Sequence, residues 1–258
     1  MSFSVSEDVV VLDWTNQYPC RVLSCMAPQR ELLQDSLLLV NAEEVQTFAT
    51  DKRRKDHFNG RWLLQYALEV WGGIALDAVE VLRTELREPY LRYIQGVWKN
   101  EPLPSFSISH SDDQVFVALC ESGYAIGIDA EPVGRTISEG VFDLMSSGDE
   151  LDVLRQQPSL ALQYWTMKEA VQKSAGMGMH LNPRKIKIPI GKKVCKISID
   201  NLKIQLENIE FNDYFVSLAI TERSTKPQNA EDDLLEATKI AMQDSEWTVG
   251  CATVRKNA

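Results

Sequence analysis

The feature that most constrains this sequence is a strand-like segment that ends in two acidic residues. In segment 124–132, YAIGIDAEP, the apolar residues Ile126, Ile128 and Ala130 alternate with Gly127, Asp129 and Glu131. This is the pattern of a β-strand whose two faces meet different surroundings. Ile128 and the even-numbered residues beside it then face a core, whereas Asp129 and Glu131 emerge together on the opposite face. Pro132 has no N–H to donate and ends the ladder. The sequence therefore predicts a pair of carboxylates fixed at the end of a strand.

A polar corner precedes this strand. Ser109, His110 and Ser111 lie between two strand-like runs, at 105–108 and 115–119. Hydroxyl and imidazole groups are able to donate hydrogen bonds to a phosphate. We therefore expect the corner and the acidic strand end to contribute to one site.

A later segment, 160–175, is predicted to form a helix with two different sides. Apolar residues recur on one side at helical spacing and make a core stripe. On the opposite side Trp165, Glu169 and Lys173 lie four residues apart and form a row. An ordinary surface helix also carries Glu–Lys pairs, but a tryptophan on the polar side is expected to pack against something. The Gly-x-Gly that ends the helix allows a ligand to approach the backbone closely.

Three carboxylates stand out as candidate metal ligands. Asp129, Glu131 and Glu169 have no histidine or cysteine cluster beside them in the sequence. Such hard oxygen ligands suit Mg²⁺, which commonly bridges the phosphates of a substrate. Lys168 and Lys173 flank the third carboxylate. Acid, metal and lysine together predict a site that binds a pyrophosphate and stabilises its shifting charge, although each residue alone is also common as surface charge.

Two basic segments are further candidates for binding. In the first, Arg53 lies eight residues before Arg61, so the two face either one site or solvent from a helix, which Gly72 and Gly73 end, and from the turn before it. The second, 184–196, alternates basic and apolar residues, which predicts strands with a solvated face. This segment is either a docking surface for an acidic partner or the solvent-exposed face of a sheet. Further strands are predicted at 79–84, 90–94, 197–207 and 214–221, and an acidic amphipathic helix at 232–243.

The composition excludes several classes of protein. The chain has 258 residues, 44% of them hydrophobic, which is enough for one large domain or two smaller ones. A formal net charge of −10 argues against nucleic acid and anionic membranes as partners. Five cysteines without a Cys-x-x-Cys pair, and only three histidines, argue against a structural zinc site and favour a reducing compartment. No secretion signal or membrane-length apolar run is found, so we expect a cytoplasmic protein.

The motifs, taken in this order, resemble those of 4′-phosphopantetheinyl transferases of the type that activates surfactin synthetase. The resemblance is strongest between about residues 105 and 181. It rests on Ser-His-Ser at 109–111, Gly-Ile-Asp-x-Glu at 127–131, Trp-Thr-Met-Lys-Glu-Ala at 165–170 and Lys-x-x-Gly-x-Gly at 173–178.

The resemblance implies an α+β fold made of two similar α/β subdomains related by a pseudo-twofold axis, with the site in the cleft. We accordingly expect an N-terminal half at 1–122, a second half that carries the metal acids at 123–223, and a C-terminal extension at 224–258. Because one chain supplies both halves, the resemblance also implies a monomer.

The activity implied is Mg²⁺-dependent transfer of the phosphopantetheine arm of coenzyme A to a serine of an acyl or peptidyl carrier protein, which releases adenosine 3′,5′-bisphosphate. The carrier could belong to fatty-acid, polyketide or nonribosomal-peptide synthesis. Two alternatives stay open: a Mg²⁺-dependent pyrophosphate or nucleotide hydrolase, and a non-catalytic protein that binds coenzyme A or a carrier.

Residue roles follow from the same resemblance. Asp129, Glu131 and Glu169 would hold Mg²⁺, and Glu169 would also act as the catalytic base toward the serine hydroxyl. Lys168 and Lys173 would neutralise phosphate charge. The nucleotide end and its 3′-phosphate would be bound by four further residues, namely Arg53, Arg61, Ser109 and His110.

One segment departs from the family pattern. Family members carry Gly-Lys-Pro or Gly-Arg-Pro before the Ser-His-Ser motif, where this chain has Arg87, Glu88 and Pro89. A glutamate there is expected to repel the nucleotide unless Arg87 takes over the contact. An acid at the start of a later helix, Asp149 or Glu150, is a further candidate for assisting the metal.

Overall fold

The chain is described here by a computed structural model that covers residues 8–94 and 101–223. Within these residues it contains two four-stranded sheets, one two-stranded hairpin and five α-helices. The expected α+β class is confirmed. The helix predicted at 232–243 lies outside the described residues.

The strands fall into separate groups along the chain. The first sheet has the antiparallel order β1-β2-β6-β5, the second the order β7-β10-β9-β8, and β3 pairs with β4. In chain order the strands are β1 Val10–Val11, β2 Val22–Pro28, β3 Val79–Arg83, β4 Pro89–Tyr93, β5 Ser105–Ser111, β6 Gln114–Cys120, β7 Tyr124–Pro132, β8 Val194–Ile199, β9 Leu202–Phe211 and β10 Tyr214–Glu222.

Capping residues mark several of the helix ends. The Asn41 side chain accepts hydrogen bonds from the first turn of α1, and Thr50 does the same for α2. Gly72, at φ 83°, ends α2 as predicted. The helices are α1 Ala42–Gln46, α2 Asp51–Trp71, α3 Glu139–Met145, α4 Asp149–Gln156 and α5 Ala161–Ser174.

Three hydrophobic clusters hold these elements together. The long helix α2 packs on one face of β6, and α5 packs on β7 and β10 of the second sheet. The third cluster joins the other face of β6 to the even-numbered residues of β7, including Ile128, and to β10. The two faces of β7 therefore meet different surroundings, as its alternation predicts.

Two strand predictions in the C-terminal part were wrong. Residues 184–193 form a short 3-10 turn and extended loop instead of strands, and β8 begins only at Val194. The single strand predicted at 197–207 is a hairpin, because Asp200 adopts φ 51° and turns the chain between β8 and β9. In the 3-10 and loop segment Ile186 and Ile188 are buried, so its alternation reflects anchoring of a loop and not strand pairing.

Candidate functional site

The acidic end of β7 lies beneath helix α5. Asp129 and Glu131 share the face of Gly127, and α5 closes directly onto that glycine. A Cβ atom at Gly127 would lie 2.0 Å from the backbone oxygen of Ala170 and 2.6 Å from the nitrogen of Ser174. Only glycine permits this approach, which leaves Asp129 just 5% exposed. The glycine of the Gly-Ile-Asp-x-Glu motif thus brings the helix to the acids.

A row of serines on β5 orients these acids. β5 and β7 are edge strands of different sheets that lie side by side, and every second residue of β5 is a serine bonded to β7. The Ser109 hydroxyl donates to Oδ1 of Asp129 at 3.0 Å, and Ser111 donates to Oε2 of Glu131 at 3.1 Å. In the same row, the Ser105 hydroxyl donates to the Tyr124 carbonyl and Ser107 accepts from the Ile128 N–H.

Lys173 of α5 contacts both β5 and β7. Its ammonium lies 2.8 Å from Oδ1 of Asp129 and 2.9 Å from the carbonyl oxygen of Ile128. A longer contact, 3.5 Å, reaches the carbonyl of Ile108 on β5. Lys173 therefore compensates part of the negative charge at the strand end.

Glu169 of α5 is electrostatically linked to both acids. Burial raises the pKa of its carboxyl to about 7, the negative charge of Asp129 adds to this, and that of Glu131 contributes less. Lys173 acts in the opposite direction. The charges of Asp129 and Glu131 thus act on Glu169, which carries a proton far more readily than an ordinary glutamate.

The three carboxylates fit a hard divalent cation by their chemistry. Oδ2 of Asp129 is buried without a hydrogen-bond partner, so an acceptor is available for a cation. A cation would also relieve the repulsion that raises the pKa of Glu169. Residues 8–94 and 101–223 contain, however, no cluster of three or more carboxylate, imidazole or thiol groups in an arrangement that could hold a metal ion. Oε2 of Glu131 is bonded to Arg135 at 2.6 Å, so joint binding by three carboxylates requires side chains to move.

A cavity of about 340 Å³ opens beside the acids, between α2, the β3–β4 hairpin and the end of α5. Lys173 lines it and so belongs to both the cavity and the acidic group. Positive and imidazole side chains dominate the polar part of its lining, whereas Asp56 and Glu88 are the acids there. The cationic and imidazole residues are Arg53, His57, Arg61, Arg83, Arg87, His110 and Lys173.

Several of these side chains have unsatisfied hydrogen-bonding atoms. Nε of Arg61 and Nε2 of both His57 and His110 are buried without a partner. Burial lowers the pKa of each imidazole to about 4, so both are neutral at pH 7, and it lowers that of the Arg61 guanidinium to about 10. Arg61 is only 3% exposed, and its nearest carboxylate, Glu44, is 3.5 Å away. An anionic ligand would supply the missing acceptor for Arg61.

Most of the predicted nucleotide ligands are brought together here. Arg53, Arg61, Arg87 and His110 all line the cavity although they come from three distant segments. Sequence reasoning missed Arg83, which lines the same cavity and is 2.7 Å from Oε1 of Glu44. Its place at the end of β3, four residues before Arg87 in the same hairpin, is a signal that could have identified it.

Two predicted phosphate ligands lie elsewhere. The Ser109 hydroxyl is used by Asp129 and does not line the cavity. Lys168 is 1% exposed, and its ammonium lies 2.6 Å from Oε1 of Glu150 and 2.5 Å from the Ile186 carbonyl. Lys168 points away from the row that holds Glu169, so we correct its assignment to a structural one. Glu150, bound by this lysine, likewise is not placed to assist a metal.

The Arg-Glu-Pro departure has a structural explanation. Arg87 takes the glycine position of the family pattern and adopts φ 65°, the left-handed conformation that glycine favours. Glu88 does not face the cavity as an isolated charge, because its carboxylate is 2.9 Å from Arg223. The expected repulsion of a nucleotide is therefore reduced.

One family model matches part of the chain. Residues 125–219, from β7 to β10, match the family model of the 4′-phosphopantetheinyl transferase superfamily. The match includes Asp129, Glu131, Glu169 and Lys173 but covers less than half of the 258 residues. It supports the resemblance at the level of the superfamily. A comparison with individually curated proteins gives no significant match. Among the helices of the described residues, none has the length and apolar character needed to cross a membrane.

Proposed function

We propose that this protein transfers the 4′-phosphopantetheine arm of coenzyme A to a serine of an acyl or peptidyl carrier protein, with Mg²⁺ as cofactor. One observation carries the proposal. Lys173 lines the cationic cavity and bonds Asp129, so a pocket suited to a phosphorylated ligand adjoins three carboxylates whose charges interact. The superfamily match over 125–219 supports the same chemistry.

We propose for these residues the roles that the resemblance implies. Asp129, Glu131 and Glu169 would hold Mg²⁺, which when bound neutralises the charge of the coenzyme's pyrophosphate. Glu169 would also accept the proton of the carrier serine as a carboxylate, because a bound Mg²⁺ would keep it ionised at neutral pH. The serine oxygen then forms a bond to the phosphorus that carries the pantetheine arm. The pyrophosphate P–O bond breaks, and adenosine 3′,5′-bisphosphate leaves, with its charge stabilised by Lys173.

We further propose the surfactin-synthetase-activating subtype, with two similar halves about a pseudo-twofold axis, and a monomeric protein. Each half would contain one four-stranded sheet and one long helix, α2 or α5. The cavity is lined by residues from both, which supports a site that one chain can complete.

The carrier is proposed to dock on the basic segment 184–196. Its six basic side chains are exposed and no acidic residue interrupts them, in a chain of net charge −10. Met179, 69% exposed, lies just before this segment and next to Gly178, which lines the cavity. Carrier proteins are acidic near their target serine, so this local patch would favour encounter. The basic residues are Arg184, Lys185, Lys187, Lys192, Lys193 and Lys196.

A mass measurement tests the proposal. The protein is incubated with coenzyme A, Mg²⁺ and an apo carrier protein, and the carrier is analysed by intact mass spectrometry. We expect the mass gain of one phosphopantetheine arm, and its loss with Glu169→Gln. Release of nucleotide without any carrier would indicate a hydrolase instead, and coenzyme A binding without turnover would indicate a non-catalytic protein.

A further inference from the structure

Glu88 is, with Asp56, one of two acidic residues in a cavity lining whose other charged or imidazole side chains suit an anion. Its Oε2 atom lies 2.9 Å from Nη2 of Arg223. The two side chains are only 15% and 20% exposed, so this ion pair is mostly shielded from solvent. A charge-assisted hydrogen bond in such a place is stronger than an exposed surface pair.

The pair connects two segments that border the cavity, although Arg223 itself is not one of the residues that line it. Glu88 precedes β4 in the β3–β4 hairpin, whereas Arg223, 135 residues later, directly follows β10. Arg223 also donates to the carbonyl of Ser174, the last residue of α5, at 3.4 Å. The hairpin supplies two arginines of the cavity and the end of α5 supplies Lys173. The pair thus ties the two segments together at one edge.

The Glu88–Arg223 pair packs closely against a glycine, which leaves no room for a side chain at this edge of the cavity. Gly176, which lines the cavity, has φ 68°. A Cβ atom there would lie 2.3 Å from Oε2 of Glu88 and 2.5 Å from Nη1 of Arg223. The ion pair therefore rests directly on the backbone of the Gly-x-Gly that follows α5.

Building on the function proposed above, we propose that Glu88 and Arg223 are positioning residues that set the width of the coenzyme A cavity at its hairpin edge. The pair is neutral as a unit, so the phosphate groups of the ligand bind away from it, toward Arg53, Arg61 and Arg83. In this chain the basic residue that the family carries at position 88 would face Arg223 and push the two segments apart.

A charge-swap cycle tests the proposal. The dissociation constant of coenzyme A is measured by calorimetry for the wild type, Glu88→Lys, Arg223→Glu and the double variant. We expect each single variant to weaken binding about 10-fold, and the double variant to return to within about threefold of the wild type, because the restored pair recovers the interaction energy. A simple charge argument predicts the reverse for Glu88→Lys, which adds a positive charge to the cavity.

Matched variants separate positioning from stability. Glu80→Lys breaks an ion pair with Arg92 (3.1 Å) on the same hairpin but outside the cavity lining. It should lower Tm without changing coenzyme A affinity. Glu88→Gln, which keeps the shape of the side chain, serves if Glu88→Lys fails to fold, and should also weaken binding.

The outcomes distinguish the two proposals. Unchanged or tighter binding by Glu88→Lys, unchanged binding by Glu88→Gln, or a double variant as weak as the singles would overturn the positioning role alone. A wild-type protein that does not bind coenzyme A would overturn the proposed function and this inference together.

Discussion

The ammonium of Lys173 lies 2.8 Å from Oδ1 of Asp129, which joins helix α5 to the acidic end of β7. This contact crosses 44 residues of sequence and bridges two parts of the site. One side of Lys173 faces the cationic cavity, and the other faces the acids proposed to hold Mg²⁺. Phosphate binding and metal binding are therefore expected to depend on each other through this lysine.

Substitutions of two lysines of α5 are predicted to have different effects, one on stability and the other on coenzyme A binding. Lys168→Met leaves Glu150 as an unpaired buried charge and should reduce the free energy of unfolding by about 3–5 kcal/mol, measured in urea. The fraction that stays folded should bind coenzyme A normally. Lys173→Met should cost less stability but weaken coenzyme A binding at least about 10-fold. Equal effects of both substitutions on affinity would contradict the separate roles.

The pKa of Glu169 predicts a pH-dependent metal affinity. In the folded protein without metal this pKa is raised to about 7, so its protonated form competes with Mg²⁺ at lower pH. Mg²⁺ affinity should rise as the pH increases through 7, with proton release detected by calorimetry in two buffers.

The same shift has a consequence for stability. Because the folded pKa lies above the ordinary value of 4.5, ionising Glu169 opposes folding, so stability without metal should fall between about pH 4.5 and 7. Glu169→Gln should remove both the pH-dependent stability change and the proton release. Proton release that persists in this variant would assign the titration to another group.

Gly127→Ala should disrupt the approach of α5 to β7. The added Cβ would meet the backbone of α5 at 2.0 Å, and neither strand nor helix backbone can yield by a side-chain rotation. We expect a loss of about 3 kcal/mol or more of unfolding free energy in urea denaturation. Gly134→Ala is the control, because a Cβ there would meet nothing within 4 Å. Similar stability of the two variants would show that the close packing is not required.

Removing one serine of the row on β5 should weaken Mg²⁺ binding. Ser111→Ala removes the hydrogen bond to Glu131 and should weaken Mg²⁺ binding about three- to tenfold. Ser105→Ala removes a bond of the same row, to the Tyr124 carbonyl, and should affect stability alone. Equal Mg²⁺ dissociation constants for both variants would refute an orienting role of Ser111.

Reversing the charge of the proposed docking segment should affect only the carrier. We expect Lys192→Glu with Lys193→Glu to raise KM for the carrier about 10-fold while leaving coenzyme A binding unchanged. Lys203→Glu, exposed on β9 outside the segment, is the control. Unaltered carrier kinetics in the double variant would remove this surface from consideration.

Local patterns in the sequence predicted the individual elements of the site well. The alternation of β7 gave the correct faces for Asp129 and Ile128, since a strand has a period of two. The four-residue spacing of Glu169 and Lys173 correctly put them on one side of α5. The strand predictions near 184–207 failed because a buried loop and a tight hairpin show the same alternation as a strand.

The sequence by itself thus determined which faces the acids and the helix row occupy, because those faces follow from local backbone geometry. Only the tertiary structure decided what each face meets. It paired Lys168 with Glu150 and Lys173 with Asp129, although both lysines lie on one helix. It also paired Glu88 with Arg223 and added Arg83 to the cavity. Such partners come from distant segments, and long-range packing, which no local spacing encodes, selects them.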